Sequence, residues 1–236
     1  MLRADAVPSA QVLASLPIFP LPNVVLLPGM VLPLNVFEPR YLELVDFARQ
    51  NGEHIGVPLL ASKDGAASEI EPVFGVGKLV FHVSLPDGRR IIRLEGVCRV
   101  RVQREHAQVH RFREVEVTPL GEPRPLDMQA VAVLRAQVER IARYCGEDGE
   151  SLTSLLAIAD VRGFLYALTA FLPSLELMIA AEDSVLFSDR RTLVTMQQQS
   201  LAAETADLRV RFLSERTTGV LTRLSELIVT PPSLLQ

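Results

Sequence analysis

The segment between Asp5 and Glu38 contains no charged side chain, yet six prolines interrupt it. An apolar stretch of this length has the hydropathy of a transmembrane segment. Each proline, however, removes a backbone donor and clashes with the preceding helical turn, and lipid offers no water to replace the lost hydrogen bonds. No uninterrupted apolar core follows Arg3, so a cleavable signal sequence is not expected either. The segment is therefore predicted to form short buried strands, with no membrane as partner.

Composition narrows the class of protein further. The chain has 236 residues, of which 48% are hydrophobic, and a net charge of -4. A chain of this length buries roughly 70% of its unfolded surface without disulfides, and its charge gives no general attraction to nucleic acid. Cys98 and Cys145 form no paired motif, which excludes a disulfide scaffold and indicates a reducing cytoplasm. Both lie in apolar patterns and are predicted to be core residues.

The hydrophobic period changes near Pro123. Before it, two-residue alternation is typical of half-buried strands, as in Val97–Val102, where Arg99 and Arg101 are predicted to face solvent. Two short strands, Val24–Leu27 and Met30–Leu34, are predicted on either side of a Pro28-Gly29 turn. We therefore predict a flexible leader over residues 1–15, a β domain over 16–122 and a helical subdomain over 123–236.

The helical half follows a period of three to four residues. Apolar residues recur at this spacing from Leu126 to Cys145, which predicts one long helix that buries a single face. Further helices are predicted downstream, with Pro173 as a break between two of them. Together these patterns predict a helical bundle.

Three stretches resemble the amino-terminal, substrate-binding domain of the Lon protease family. They are residues 16–41 (LPIFPLPNVVLLPGMVLPLNVFEPRY), residues 73–77 (VFGVG) and residues 95–100 (EGVCRV). The resemblance implies an α+β fold, with a PUA-like β-pseudobarrel followed by an all-helical subdomain. It also implies a noncatalytic standalone member that captures unfolded clients, without the ATPase and peptidase that lie further along in Lon. A separate protease or chaperone would be a second partner.

Motifs for catalysis, cofactors and metals do not meet their chemical requirements. Gly75 to Lys78 lacks the glycine spacing and the following hydroxyl of a phosphate-binding loop. A Ser-Lys dyad needs a desolvated lysine, and Lys63 lies in a polar loop sequence. His106 and His110 have the spacing of a zinc pair, but they lie between strands, where this spacing does not place them on one face. We predict no catalytic residue, cofactor or metal.

Two candidate binding surfaces follow from the residues. The first is an apolar groove for client or partner segments near the Pro28-Gly29 turn and the helix that starts at Pro39. Its candidate residues are Val25, Leu27, Pro28, Met30, Glu38, Arg40 and Tyr41. For Glu38 and Arg40, a cap and ion pair at the start of the helix is favoured over direct contact with a ligand.

The alternative is an RNA-binding face. Eight arginines against two acids lie between Arg89 and Arg113, and arginines on a sheet can neutralise phosphates. If these arginines have a structural role instead, Glu114 and Glu116 would pair across the sheet with Arg99 and Arg101. Phe112 is the one aromatic residue of the segment that could stack on a base. The candidate residues are Arg89, Arg90, Arg99, Arg101 and Arg104.

Overall fold

The computed structural model describes residues 7–61, 69–121, 124–180 and 190–229. The chain divides into two compact units, Met1–Gly121 and Glu122–Gln236, and the predicted boundary after residue 122 lies outside the described residues. The first unit, here the β unit, contains α1 (Ala10–Ala14), β1 (Leu16–Ile18), β2 (Val31–Val36), α2 (Pro39–Gln50), β3 (His54–Val57), β4 (Val73–Ser84), β5 (Arg90–Glu105) and β6 (Arg113–Pro119). The second, the helical unit, contains α3 (Met128–Cys145), α4 (Glu150–Leu156), α5 (Val161–Ala180), α6 (Arg190–Ala202) and α7 (Ala206–Val229). The predicted α+β fold class is confirmed.

The sheet of the β unit closes on itself. Its strand order is β2-β5-β4-β3-β1-β6, and β6 also pairs with the second half of β5. β1 runs parallel to β3, with Ile18 opposite Gly56, and antiparallel to β6, with Leu16 opposite Val115. β2 extends the other end of β5. Five strands therefore form a small barrel, from which the first part of β5, the end of β4 and the whole of β2 project.

Two apolar clusters hold the β unit together. One is lined by residues of β1, β4, β5 and β6, including the fully buried Leu16, Phe74 and Val100. The other places the buried face of α2 against the sheet, with Leu44 and Val45 fully buried. Pro39 occupies the first turn of α2, where its missing N–H costs nothing, and the helix ends before Gly52, whose φ is +92°. α2 thus fixes the residues of its first turn beside β1.

Val24–Leu27 is not a strand, so that prediction is wrong. The backbone of this segment lies against glycines of β4 and β5: a Cβ on Gly75 would lie 1.8 Å from the carbonyl oxygen of Leu26, and one on Gly96 would lie 2.2 Å from that of Leu27. Such close backbone contact replaces ladder pairing. The turn at Gly29 is present, because the Gly29 amide donates to the Gly96 carbonyl at 2.7 Å, and β2 begins after it.

A short helix lies inside the segment predicted to be a flexible leader. The Val12 amide donates to the Ser9 side chain, which caps α1. Val12 and Leu13 pack against the cluster lined by β1, β4, β5 and β6. This packing orders the residues that precede β1, and residues 1–6 of the leader lie outside the described residues.

The helical unit buries the apolar stripe of α3 against α4, α5 and α7. Pro173 lies inside α5, so the predicted break is wrong. A proline in a helix interior costs about 3 kcal/mol, but Leu168, Leu172 and Leu175 are all buried on either side of it. Burying each leucine contributes about 1.5–3 kcal/mol, which offsets the loss.

None of the described helices combines the length and apolar character needed to cross a membrane.

Polar side chains also join the helices inside this unit. Glu176 is 8% exposed and receives two hydrogen bonds from the guanidinium group of Arg216, at 2.9 and 2.5 Å. The hydroxyl groups of Thr169 and Ser200 lie 2.7 Å apart, and Thr217 donates to the Gln137 amide oxygen at 2.9 Å. The helical core therefore contains polar side chains that form hydrogen bonds with one another.

Candidate functional site

A groove of about 990 Å³ opens on the β unit. It is formed by β1 and the residues that follow it, the start of α2, and the connection between β5 and β6. The lining residues are Ile18, Phe19, Pro20, Leu21, Pro22, Glu38, Arg40, Tyr41, Leu60, Glu69, Ile70, Glu105, Gln108, Arg111, Phe112 and Arg113. Its volume lies at the upper end of the range found for small-molecule sites, so it can hold several side chains of an extended segment.

Aromatic rings form part of the groove wall. The rings of Phe19 and Tyr41 stack with their centroids 3.8 Å apart and their planes 11° from parallel. Phe112 is 2% exposed and packs against Phe47 at a centroid distance of 5.2 Å. Burial raises the pKa of the Tyr41 hydroxyl, so this group stays neutral at physiological pH. Phe19 is 6% and Tyr41 7% exposed, so the part of the stacked pair that reaches the groove is held in place by the core before a ligand arrives.

Charged groups at the groove are arranged in pairs. The Arg113 guanidinium donates two hydrogen bonds to the Glu105 carboxylate, both at 2.7 Å, and lowers the pKa of that carboxyl. Arg40 donates to Glu38 at 2.9 Å, and its guanidinium carbon lies 4.5 Å from the centre of the Tyr41 ring. Because these cations lie beside carboxylates, the groove carries little net charge and favours neither a polyanion nor a polycation.

The family of the chain is decided by its match to a family model. Residues 15–181 match the model described as the ATP-dependent protease La (LON) substrate-binding domain. The chain belongs to this family. The Lon protease of Desulfovibrio desulfuricans is 30% identical over 87% of this chain and 24% of that protein. That of Lawsonia intracellularis is 30% identical over 68% of this chain and 19% of that protein. The chain spans about a quarter or less of these relatives.

One solved Lon domain has a related fold. The N-terminal domain of Mycobacterium avium complex Lon protease matches with a TM-score of 0.50 and 17% identity, over 90% of this chain and 98% of that domain. A Lon N-terminal domain protein from Xanthomonas campestris is 30% identical, over 66% of this chain and 98% of that one, with a TM-score of 0.41. The predicted resemblance is confirmed, and it lies in the substrate-binding part of Lon, outside the catalytic part.

Three of the predicted interface residues of this Lon-type domain, Glu38, Arg40 and Tyr41, line the groove. The other four do not, because the turn that contains them folds back onto Gly96. Leu27 and Pro28 are buried, so their prediction as groove residues is corrected. Val25 is half-buried, while Met30 is 38% exposed and precedes β2.

A second apolar surface, which we call the outer sheet face, was not predicted. It lies on β2, β4 and β5, where register places Asn35, Ile91 and Val83 side by side and Pro33, Arg93 and Phe81 beside them. Val31 on the same face is 55% exposed. The Arg93 guanidinium covers the Phe81 ring, 4.9 Å from its centre. The sequence does not predict this face, because alternation in β4 and β5 does not show which side of each strand is buried.

Most of the candidate RNA-binding arginines are paired. Arg89 contacts Asp87 at 2.7 Å, and Arg104 contacts Glu116 at 2.5 Å. Arg90 binds Asp46 through both guanidinium nitrogens, at 2.5 and 2.8 Å. Arg101 is exposed and lies opposite Thr118 in the ladder between β5 and β6. The predicted partnership of Arg99 and Arg101 with Glu114 and Glu116 is therefore wrong by the register of this ladder.

Arg99 does not face solvent as predicted. It is 2% exposed, and its guanidinium donates to the Gly121 carbonyl at 3.4 Å. Cys98, Val100 and Val102 share one apolar cluster as the alternation predicts, but the opposite face is covered too. Arg99 pairs with Gly75, and the Leu26 backbone lies directly over Gly75 on that face. The Arg99 side chain cannot contribute to a phosphate-binding face.

The remaining candidate chemical groups have structural contacts. His106 Nε2 lies 2.8 Å from the Ala14 carbonyl oxygen, and the His110 ring stacks on Phe112 at 4.8 Å. Within the described residues, no three or more His, Cys, Asp or Glu side chains are grouped to hold a metal ion. Burial raises the pKa of the Cys98 thiol to about 11, so little reactive thiolate forms at neutral pH.

Proposed function

We propose that this chain is a noncatalytic, cytoplasmic protein-binding module that holds exposed apolar segments of unfolded client proteins in the groove of its β unit. The observation that carries the proposal is the stacked Phe19 and Tyr41 pair beside paired charges, in a member of a substrate-binding family. A protease or chaperone on a separate chain would receive the client. No catalytic step is assigned to the described residues.

The chemistry of the groove favours weak and general recognition. Aliphatic or aromatic client side chains would lie against the stacked rings, and desolvation of this apolar surface would drive binding. Ordering an unfolded segment offsets much of this gain, so we expect a dissociation constant in the range of about micromolar. Since the charges of the groove are already paired, added salt should change the affinity little.

Isothermal titration calorimetry with a reduced, unfolded model protein tests the proposal. Leu21 is half-buried in the groove, and Leu21→Glu would place a charge on its apolar surface. We expect this variant to bind about tenfold more weakly, because a carboxylate loses hydration when an apolar segment covers it.

The matched control is Val31→Glu, which introduces the same charge on the outer sheet face, at a residue that is 55% exposed. It should leave binding unchanged. Weaker binding by this control alone would place the client on the outer sheet face and contradict the groove. Circular dichroism of both variants would confirm that they remain folded.

RNA binding is not proposed. Of the five candidate arginines, Arg89, Arg90 and Arg104 lie beside carboxylates and Arg99 is buried. Phosphate contacts would have to displace these carboxylates. A salt-sensitive gel shift with RNA, together with loss of client binding at moderate salt, would reverse the assignment.

A further inference from the structure

A second cavity, of about 490 Å³, lies within the helical unit where α5 and α7 begin. Three arginines contribute to its described lining, Arg124, Arg162 and Arg209, against one acid, Asp160. Asp160 Oδ2 accepts a hydrogen bond of 2.9 Å from the Gly163 amide and so caps the first turn of α5. The described lining therefore carries more positive than negative charge.

Arg209 contributes a buried positive charge to the wall of the cavity. Its side chain is fully buried, Nε donates to the Ser200 carbonyl at 2.9 Å, and the guanidinium lies 4.4 Å from the centre of the Tyr166 ring. These contacts hold the guanidinium in one orientation. A buried cation of this kind raises the electrostatic potential of the cavity more than a mobile surface arginine would.

Arg162 and Arg124 lie nearer to solvent. Arg162 is half-buried at the start of α5, and Arg124 is exposed. Neither forms an ion pair or hydrogen bond with any residue in the described ranges. This differs from the arginines of the groove, which have carboxylate partners. A guanidinium that lines a cavity without such a partner has its hydrogen-bond donors available for an oxyanion.

The rest of the wall is apolar. Met128, Val161 and Leu165 line it beside the arginines. An isolated inorganic ion would fill a small part of this volume, which is typical of sites for small organic ligands. We propose that the cavity binds a small organic anion, with its phosphate or carboxylate head on Arg124 and Arg162, above the charge of Arg209, and its apolar body against Met128 and Leu165.

Calorimetric titrations of the full chain with phenyl phosphate, benzoate, inorganic phosphate and benzyl alcohol test this site. At least one of the two aromatic anions should bind, and should bind more tightly than inorganic phosphate. Benzyl alcohol, which has the apolar body without the charge, should bind at least about tenfold more weakly. Binding of phenyl phosphate alone would identify a phosphate head, and binding of benzoate alone would identify a carboxylate head.

The double variant Arg124→Gln/Arg162→Gln should weaken the anion that binds by about tenfold or more. Its matched control is Arg143→Gln/Arg211→Gln, which removes the same charge from exposed arginines of the helical unit that pair with Glu139 and Glu215. The control should retain the affinity within about twofold.

Three results would overturn the site: no binding of either aromatic anion at about 10 mM, equal binding of benzyl alcohol, or equal weakening by the control variant. Client binding by the Arg124→Gln/Arg162→Gln variant should be unchanged, because the groove belongs to the β unit. Loss of client binding in Leu21→Glu with intact anion binding would likewise separate the two sites.

Discussion

A close contact in the β unit differs in kind from one in the helical unit. In the β unit, backbone meets backbone where the segment around Leu26 crosses Gly75 and Gly96 with no room for a Cβ atom. In the helical unit, a buried ion pair joins the side chains of Glu176 and Arg216. The first contact tolerates no side chain at all, whereas a buried ion pair can be replaced at both partners together. The first contact therefore constrains single positions, and the second constrains a pair of positions.

The largest effect is expected from Gly75→Ala. Its Cβ would lie 1.8 Å from the Leu26 carbonyl oxygen. Gly75 is paired on both sides, with Val57 and Arg99, and the Leu26 side chain is buried, so the contact cannot open cheaply. We expect a loss of more than about 4 kcal/mol in the free energy of unfolding, measured by urea denaturation. Gly121→Ala is the control, since no atom lies within 4 Å of its added Cβ, and it should change stability by less than about 0.5 kcal/mol.

If Gly75→Ala lowered the free energy of unfolding by less than about 1 kcal/mol, the comparison would be contradicted, because the backbone contact would then be able to relax. Unfolding followed at both the sheet and the helices would also show whether the loss is confined to the β unit.

An intermediate effect is expected from Glu176→Gln. This change leaves the guanidinium of Arg216 without its carboxylate partner at a site where the glutamate side chain is 7% exposed. We expect destabilisation by about 2–4 kcal/mol in urea. The exposed Glu215→Gln, which breaks the pair with Arg211, is the control and should cost about 0.3–0.5 kcal/mol.

The double variant Glu176→Met/Arg216→Leu sharpens the test, because paired apolar replacement removes both buried charges together. It should be more stable than Glu176→Gln. If it were less stable, this ion pair would be constrained at each position separately, as Gly75 and Gly96 are.

The smallest effect is expected at the Glu105–Arg113 pair of the groove. The Arg113 hydrogen bonds lower the pKa of Glu105 in the folded state, so the pair stabilises the fold above the unfolded pKa of about 4.3 and this contribution is lost as pH falls through the folded pKa. Both side chains are partly exposed, which limits the contribution to about 1 kcal/mol or less. Urea unfolding should show that Glu105→Gln is less stable at about pH 7, and that this difference shrinks as the pH falls below the unfolded pKa of about 4.3 and disappears below the folded pKa.

A difference between the two proteins that grew on acidification would contradict this sign. Arg40 and Glu38 provide a comparison, because their more exposed pair should show an even smaller change.

Much of the fold follows from local pattern. Alternation and the change of period near Pro123 separate strands from helices, and Pro39 and Gly52 mark the ends of α2. The errors arise where distant contacts override a local preference. Val24–Leu27 has the composition of a strand, but its backbone packs on Gly75 and Gly96, which are 49 and 69 residues beyond Leu26 and Leu27. Likewise, Arg99 is buried because its ladder partner Gly75 lies under the Leu26 backbone, a contact that the alternation of β5 does not reveal.

The candidate site was predictable in one part only. Glu38, Arg40 and Tyr41 stand out because they surround a helix start, and that helix packs beside β1. Phe19 and Phe112 lie far apart in sequence and enter the same groove through closure of the barrel between β1 and β6. No periodic pattern connects them. The outer sheet face was missed for a related reason, because its exposure depends on which side of β4 and β5 packs on the core.

The pairing of β1 with β6 also sets an order of events during synthesis. Leu16 emerges from the ribosome 99 residues before Val115, its partner in the ladder. At about 5–20 residues per second, the first strand waits roughly 5 to 20 seconds for that partner. Loop closure over this separation makes barrel formation slow compared with the local contacts of the helices. For this interval the nascent chain exposes Phe19 and its apolar neighbours, and so resembles the clients that its finished groove is proposed to bind.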